Sequence, residues 1–152
     1  MRKYIIPLVL LVAFNINAQI LAPIKVEFSS VKKGSQAYEV NIKVTIEKGW
    51  HIFSQYSEQE DGLGPLPTLI SFQDNKALTF KDEVKEKGKL IEKYEDVFEV
   101  NTKYYEGSVT FVQTVQNKTD KPIKLRGTIT YMACKDGQCL TPQEIKFEVF
   151  LN

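Results

Sequence analysis

The chain has 152 residues, a length that is usual for one domain with one hydrophobic core. Its 20 basic and 19 acidic residues nearly cancel, and two of the basic ones, Arg2 and Lys3, lie in a segment that we expect to be removed. A near-neutral domain lacks the positive charge with which proteins bind nucleic acid or anionic lipid. We therefore expect partners to be recognised by shape and local chemistry.

The N-terminal segment has the pattern of a secretory signal peptide. A short positive start is followed by an almost unbroken apolar run over residues 4–14, and Ala18 offers a small residue before Gln19. The apolar run is too short to span a bilayer, although a retained signal anchor is the alternative. We predict a signal peptide over residues 1–18 and a single domain over residues 19–152. Export would deliver this domain to an oxidising compartment, where its two cysteines are expected to be paired unless something reduces them.

Most of the exported part alternates between apolar and polar residues. The clearest case is residues 38–46, where this period of two describes a strand with one buried and one solvent-facing side. In chain order, the predicted strands lie at residues 24–28, 38–46, 50–53, 68–72, 109–115, 125–131 and 145–151. Glycine-, asparagine- and aspartate-containing turn signals separate them, including one at 106–107. The pattern predicts an all-β protein, an antiparallel β-sandwich.

Residues 81–93 fit this pattern least well. Their charges could decorate a helix, but Val84, Leu90 and Ile91 do not form a helical stripe, and Gly88 interrupts the segment. We interpret the segment as strand and loop.

The two cysteines, Cys134 and Cys139, lie between two strong predicted strands, with Asp136 and Gly137 between them. An Asp-Gly pair favours a tight reversal, and a hairpin end can bring two Cα atoms within the ~4.4–6.8 Å that a disulfide requires. The buried positions of the preceding strand are the odd-numbered ones, so Cys134 is out of phase with them. We expect it on the other, more accessible face, where a partner can attack its sulfur.

Three roles are open for this pair on the sequence alone. A disulfide that only staples the hairpin would contribute roughly 2 kcal/mol, against nearly 5 kcal/mol for a ~100-residue loop. A redox-active pair is the second role. The third is a soft-metal site with Met132 and His51, but two cysteines are an incomplete zinc set and Met132 is more simply explained as core filling. We expect no metal and no cofactor.

Trp50 and His51 follow Gly49 at the start of a predicted strand. Adjacent strand residues face opposite sides, so at most one of the two points into the core. We expect Trp50 in the core or over the cysteines, and His51 as a structural residue at the surface or partly buried, rather than a catalytic base.

Three segments, in order along the chain, resemble one known family. Residues 131–134 and 139–142 resemble the active-site hairpin of the amino-terminal periplasmic domain of the bacterial thiol:disulfide interchange protein DsbD. Residues 49–55 resemble the early aromatic strand of that domain, and residues 94–98 resemble its cap segment. Together the matches cover the exported chain from about Ala22 to its end.

The resemblance implies an immunoglobulin-like sandwich that acts as a protein-disulfide reductase component. Such a domain receives electrons from a membrane-embedded thiol reductase and passes them to periplasmic thioredoxin-like or disulfide-isomerase proteins. Cys134 and Cys139 would be the redox pair, Phe98 the aromatic cap over the disulfide, and Glu95 and Asp96 the cap carboxylates. A nearby carboxylate raises a cysteine pKa, so the reduced pair would resist stray oxidation until a partner displaces the cap.

The sequence departs from that family in two ways. Four residues separate Cys134 and Cys139, a slightly shorter loop than in the best-known members, so the attacking sulfur is not assigned. The membrane conduit and the thioredoxin-like domain of the full protein are not in this sequence, so we expect a separate reductant. The rival hypothesis is a secreted, protein-binding β-sandwich in which the disulfide is purely structural.

Overall fold

The computed structural model describes residues 22–59, 64–95, 99–119 and 121–152. Within these ranges, every helix or strand element is a β-strand. The strands are β1 (Ile24–Lys32), β2 (Ala37–Ile46), β3 (His51–Phe53), β4 (Leu69–Phe72), β5 (Leu78–Glu95), β6 (Val100–Asn117), β7 (Ile123–Tyr131), β8 (Ala133–Lys135), β9 (Gln138–Cys139) and β10 (Gln143–Leu151). The predicted signal peptide, residues 1–18, lies outside the described residues. In the described part of the chain, no helix has the length and apolar character needed to cross a membrane.

The strands form two antiparallel sheets. The larger sheet has the order β1-β2-β6-β3-β8-β9, with β5 also paired to β6, and the smaller sheet has the order β10-β7-β4. The apolar faces of the two sheets pack on each other, as expected for strands with a period of two. The predicted immunoglobulin-like antiparallel β-sandwich is confirmed.

The core lies between the sheets and follows the predicted alternation. In β2, every second residue from Tyr38 to Ile46 is buried. The largest fully buried side chains come from both sheets: Phe111, Ile42, Ile52, Leu125, Ile129 and Leu151. Burial of one such side chain contributes about 1.5–3 kcal/mol relative to its exposure to water.

Strand β6 organises the larger sheet and places the cysteines. β5 pairs along most of one edge of β6. The other edge is shared, because β2 pairs with the C-terminal part of β6 while β3 pairs with Tyr104 and Tyr105 in its N-terminal part. β3 then carries β8 on its far side, and β8 carries β9. The two cysteines therefore lie at the end of the larger sheet.

Two local predictions need correction. The turn expected at 106–107 is absent, because both residues lie inside β6. Gly107 has a φ of +70° there, close to a register shift of β5 between Gly88 and Leu90. One class of bulge uses a glycine with the positive φ that many turns also need, so glycine alone cannot distinguish the two.

The segment 81–93 is strand throughout, so the loop part of its prediction was wrong and the strand part is confirmed. A second register shift, between Lys81 and Lys85, accounts for its irregular pattern, and Asp82 has a φ of +58° at this point.

One carboxylate fixes the chain just after the short strand β3. The half-buried Glu86 of β5 accepts hydrogen bonds from Ser54 Oγ (2.7 Å), Gln55 N (2.8 Å) and Tyr105 Oη (2.7 Å). Burial, together with the hydrogen bond to Glu86, raises the pKa of Tyr105 far above its ordinary value, so this hydroxyl stays a donor. A three-residue strand is thus held to both β5 and β6 by side-chain bonds.

Candidate functional site

The predicted reversal between the cysteines is a two-residue hairpin. β8 and β9 pair so that Lys135 opposes Gln138 and Cys134 opposes Cys139. Asp136 and Gly137 between them have φ values of +49° and +75°. Positive φ at both central residues defines a type I′ turn, which Asp-Gly favours and which matches the twist of the flanking strands.

The hairpin ladder itself brings the two cysteines together. Leu140 N donates a hydrogen bond to Ala133 O (2.9 Å), so the next pair along, Cys134 and Cys139, occupies a non-hydrogen-bonded position. Residues at such positions approach each other most closely in an antiparallel pair. The Cα atoms are 4.0 Å apart, slightly closer than the expected ~4.4–6.8 Å, and the two sulfur atoms form a disulfide bond.

Cys134 lies on the face predicted from its phase, but it is not accessible. Cys134 opposes His51 in the pairing of β8 with β3. The next pair, Ala133 and Ile52, faces the core. Cys134 therefore projects from the opposite, outer face of the sheet. Only 1% of it is exposed, so the expected accessibility was wrong.

Two features of the fold explain this burial. The chain leaves the smaller sheet after Tyr131 and enters the larger one at Ala133, so β8 gains the neighbour β3 on the side away from β9. On the outer face, Gly64 and Pro65 line the same groove as Cys134. Cys139, in contrast, lies in the edge strand β9 and is exposed. A partner that approaches the disulfide reaches Cys139 first.

The side chains over the disulfide form a groove of about 410 Å³, which we call the cysteine groove. Its lining includes both cysteines, three rings on β3 and β6, the 64–65 segment and the hairpin turn. The residues that line it are Gly49, His51, Phe53, Gly64, Pro65, Lys93, Thr102, Tyr104, Glu106, Met132, Cys134, Asp136, Gly137 and Cys139. Aromatic rings thus flank a disulfide of which one residue is open to solvent.

His51 lies beside the cysteines, a position that the sequence did not indicate. It is half-buried, as expected, and its ring contacts those of Phe53 (centroids 5.2 Å apart) and Tyr104 (4.8 Å). It also lies directly across from Cys134 in the β3–β8 register. No local signal could have shown this, because the two strands are far apart in sequence. Trp50 lies in the core, which is one of the two positions predicted for it.

The strand that leads into the predicted cap reaches the site. Lys93 and Thr102, paired between β5 and β6, both line the cysteine groove, and Glu95 ends β5 two residues after Lys93. The side chain of Glu95 and the residues Asp96 and Phe98 lie outside the described residues. Their role as a cap stays a prediction.

No group of three or more His, Cys, Asp or Glu side chains within the described ranges is arranged to hold a metal ion.

Comparison with known proteins gives one family match and several related structures. The sequence model described as "Thiol:disulfide interchange protein DsbD, N-terminal" matches residues 17–151. Among curated proteins, no relative matches this chain significantly.

The related structures share the fold at low sequence identity. The reduced N-terminal domain of DsbD from Neisseria meningitidis aligns with a TM-score of 0.58 and 16% identity, over 88% of this chain and 91% of that one. In the complex of the DsbD and PilB N-terminal domains from the same organism, the values are 0.54 and 14%, over 86% and 87%. The N-terminal periplasmic domain of ScsB from Proteus mirabilis gives 0.55 and 16%, over 82% of this chain and 45% of that one.

Proposed function

This chain belongs to the family of the N-terminal domain of the thiol:disulfide interchange protein DsbD, and we propose that it is a periplasmic thiol–disulfide exchange module. In this proposal it takes electrons from a membrane-embedded thiol reductase and passes them to thioredoxin-like or disulfide-isomerase proteins of the same compartment. Cys134 and Cys139 are the residues that carry the electrons. The chain therefore acts as a component of a protein-disulfide reductase system.

One observation carries the proposal: the disulfide joins two residues that the hairpin already holds in register, and one of them is exposed. Closing a loop of six residues stabilises a fold by only about 2 kcal/mol in the chain-entropy account. A sandwich gains more from a bond between distant strands. The position therefore favours chemistry at an accessible sulfur over stabilisation.

The exposure of Cys139 supports one order of the exchange steps. The thiolate of a reduced partner attacks Cys139 Sγ, the bond between Cys134 and Cys139 breaks, and the electron pair stays on Cys134 Sγ. The second thiolate of the partner then attacks the partner's own sulfur in the mixed disulfide and releases Cys139. The partner loses two electrons and the cysteine pair gains them. In the reverse direction, Cys139 attacks an acceptor disulfide and Cys134 resolves the mixed disulfide.

The predicted cap fits this order. Phe98 would cover the disulfide between encounters, and Glu95 and Asp96 would raise the pKa of the reduced cysteines, as carboxylates near a thiol do. Lys93, which lines the groove two residues before Glu95, supports a cap at this end of β5.

Related proteins support the compartment and the kind of partner. The DsbD N-terminal domain of Neisseria meningitidis forms a complex with the N-terminal domain of another protein, PilB. The matched ScsB domain is described as periplasmic. Both agree with a module that meets other proteins outside the cytoplasm.

Reduction of the purified protein tests whether the cysteine pair can be reduced while the sandwich stays folded, as exchange requires. Because the bond closes a short loop, we expect dithiothreitol to release both thiols while the sandwich stays folded, with a loss of about 2 kcal/mol in the free energy of unfolding. Thiol counting and denaturant unfolding measure the two effects, and the variant with both Cys134→Ser and Cys139→Ser serves as the reference for the reduced state. A protein that unfolds on reduction would favour the rival, a protein-binding sandwich that needs its disulfide for stability.

A further inference from the structure

The imidazole of His51 lies in the cysteine groove, on the strand that pairs directly with β8. His51 opposes Cys134, so the two side chains project from the same face of the sheet. The Cβ atoms of directly opposed residues are about 4.5–5.5 Å apart. Both residues also line the same groove. The imidazole is therefore within electrostatic reach of Cys134 Sγ.

A neighbouring positive charge would stabilise the Cys134 thiolate more than the Cys139 thiolate. When the disulfide opens by attack at Cys139, the electron pair and its negative charge remain on Cys134 Sγ. Cys134 is 1% exposed, so little water reaches that charge. Burial disfavours a thiolate, whereas a positive charge within a few ångströms, such as a protonated histidine, favours it.

We propose that protonated His51 stabilises the Cys134 thiolate and thereby makes exchange by this pair depend on pH. The inference rests on the proposed exchange function and adds a regulatory residue to it. As the bond from the partner's sulfur to Cys139 Sγ forms and the bond between the cysteines breaks, the imidazolium balances the charge left on Cys134. Imidazole is the side chain that ordinarily changes charge between about pH 5 and 8, so the effect falls in the physiological range.

Other ionisable groups line the same groove. From β6, Tyr104 contacts the imidazole ring and Glu106 adds a carboxylate. Asp136 in the hairpin turn adds another, and Lys93 on β5 adds a positive charge. The two carboxylates favour the protonated imidazole and Lys93 opposes it. All three charged residues are exposed, so solvent screens them more than it screens Cys134.

The rate at which the disulfide opens tests the role of His51 without a protein partner. A phosphine reductant attacks the exposed Cys139 Sγ and leaves Cys134 as the thiolate, and thiol counting gives the rate at each pH. The variants His51→Asn and, separately, His51→Gln are expected to open at least about threefold more slowly than the parent below about pH 6, where imidazole carries its charge, and at the parent's rate above about pH 8. Tyr104→Phe, which keeps the ring beside His51, is the matched control and should open at the parent's rate throughout. Circular dichroism checks that each variant is folded.

The result has two readings. Slower opening at low pH in both histidine variants, absent from Tyr104→Phe and lost at high pH, supports the role of His51. Opening at the parent's rate at low pH, or an equal slowing at every pH, in either folded variant overturns it. Because no protein partner takes part, this failure is separate from that of the exchange function, which shows instead as an absence of mixed disulfides when Cys134 is replaced by serine and His51 is intact.

Discussion

Replacement of Cys134 by serine is expected to leave this protein attached to its partners through Cys139. The exposed Cys139 forms the mixed disulfide, and the residue that would resolve it is gone. Replacement of Cys139 by serine leaves Cys134, which is 1% exposed and opposes His51 inside the larger sheet. A partner sulfur cannot reach it without a local opening, so we expect at least about a tenfold lower yield of mixed disulfides, the ratio that 1.4 kcal/mol of opening free energy gives.

Acid quenching and non-reducing electrophoresis of the exported fraction measure this difference. The double serine variant is the control, since it should give no adduct at all. Equal trapping by the two single variants would contradict the assignment of Cys139 as the sulfur that meets partners. No trapping by either would contradict the exchange function.

Replacement of Gly127 by alanine is expected to destabilise the sandwich more than a typical surface substitution. Gly127 lies in β7, the middle strand of the smaller sheet, opposite Phe147 on one side and Phe72 on the other. A Cβ atom here would lie 2.5 Å from the carbonyl oxygen of Ser71 and 2.6 Å from the ring of Phe147. The ring of Phe147 stacks on Phe28 with centroids 4.6 Å apart, so it cannot move freely. Such overpacking costs about 1–3 kcal/mol, and we expect the upper part of that range.

Gly34→Ala is the matched control for this prediction. Its Cβ would lie 3.7 Å from that of Ala37, an ordinary contact. Where alanine fits, its restriction of the unfolded chain stabilises a protein by about 0.4–1 kcal/mol. Denaturant unfolding of both variants gives the comparison. A Gly127→Ala protein as stable as the parent would show that the sheet relaxes around the added methyl group.

The sequence predicted the features that depend on neighbours along the chain. The alternation in residues 38–46 predicted the buried face of β2, and Asp136-Gly137 predicted the hairpin turn that pairs Cys134 with Cys139. Both are local: side-chain period and turn chemistry act over a few residues. The resemblance of three segments to the DsbD family added the immunoglobulin-like form of the sandwich and the proposed role.

Features that depend on pairing between distant segments were not predictable in the same way. The burial of Cys134 follows from the passage of the chain from the smaller to the larger sheet after Tyr131, which no period reveals. The position of His51 opposite Cys134 follows from the same pairing of β3 with β8. Gly107 shows a third kind of limit, because a glycine with positive φ serves a turn and a bulge equally well.

The reduction potential of the Cys134–Cys139 pair tests the central claim most directly. It is measured by equilibrating the purified protein against glutathione and dithiothreitol buffers and quantifying the thiols. The exchange function predicts a potential near −200 mV, within the range of proteins that pass electrons by disulfide exchange. A potential well below about −300 mV would mark a structural bond and contradict the account.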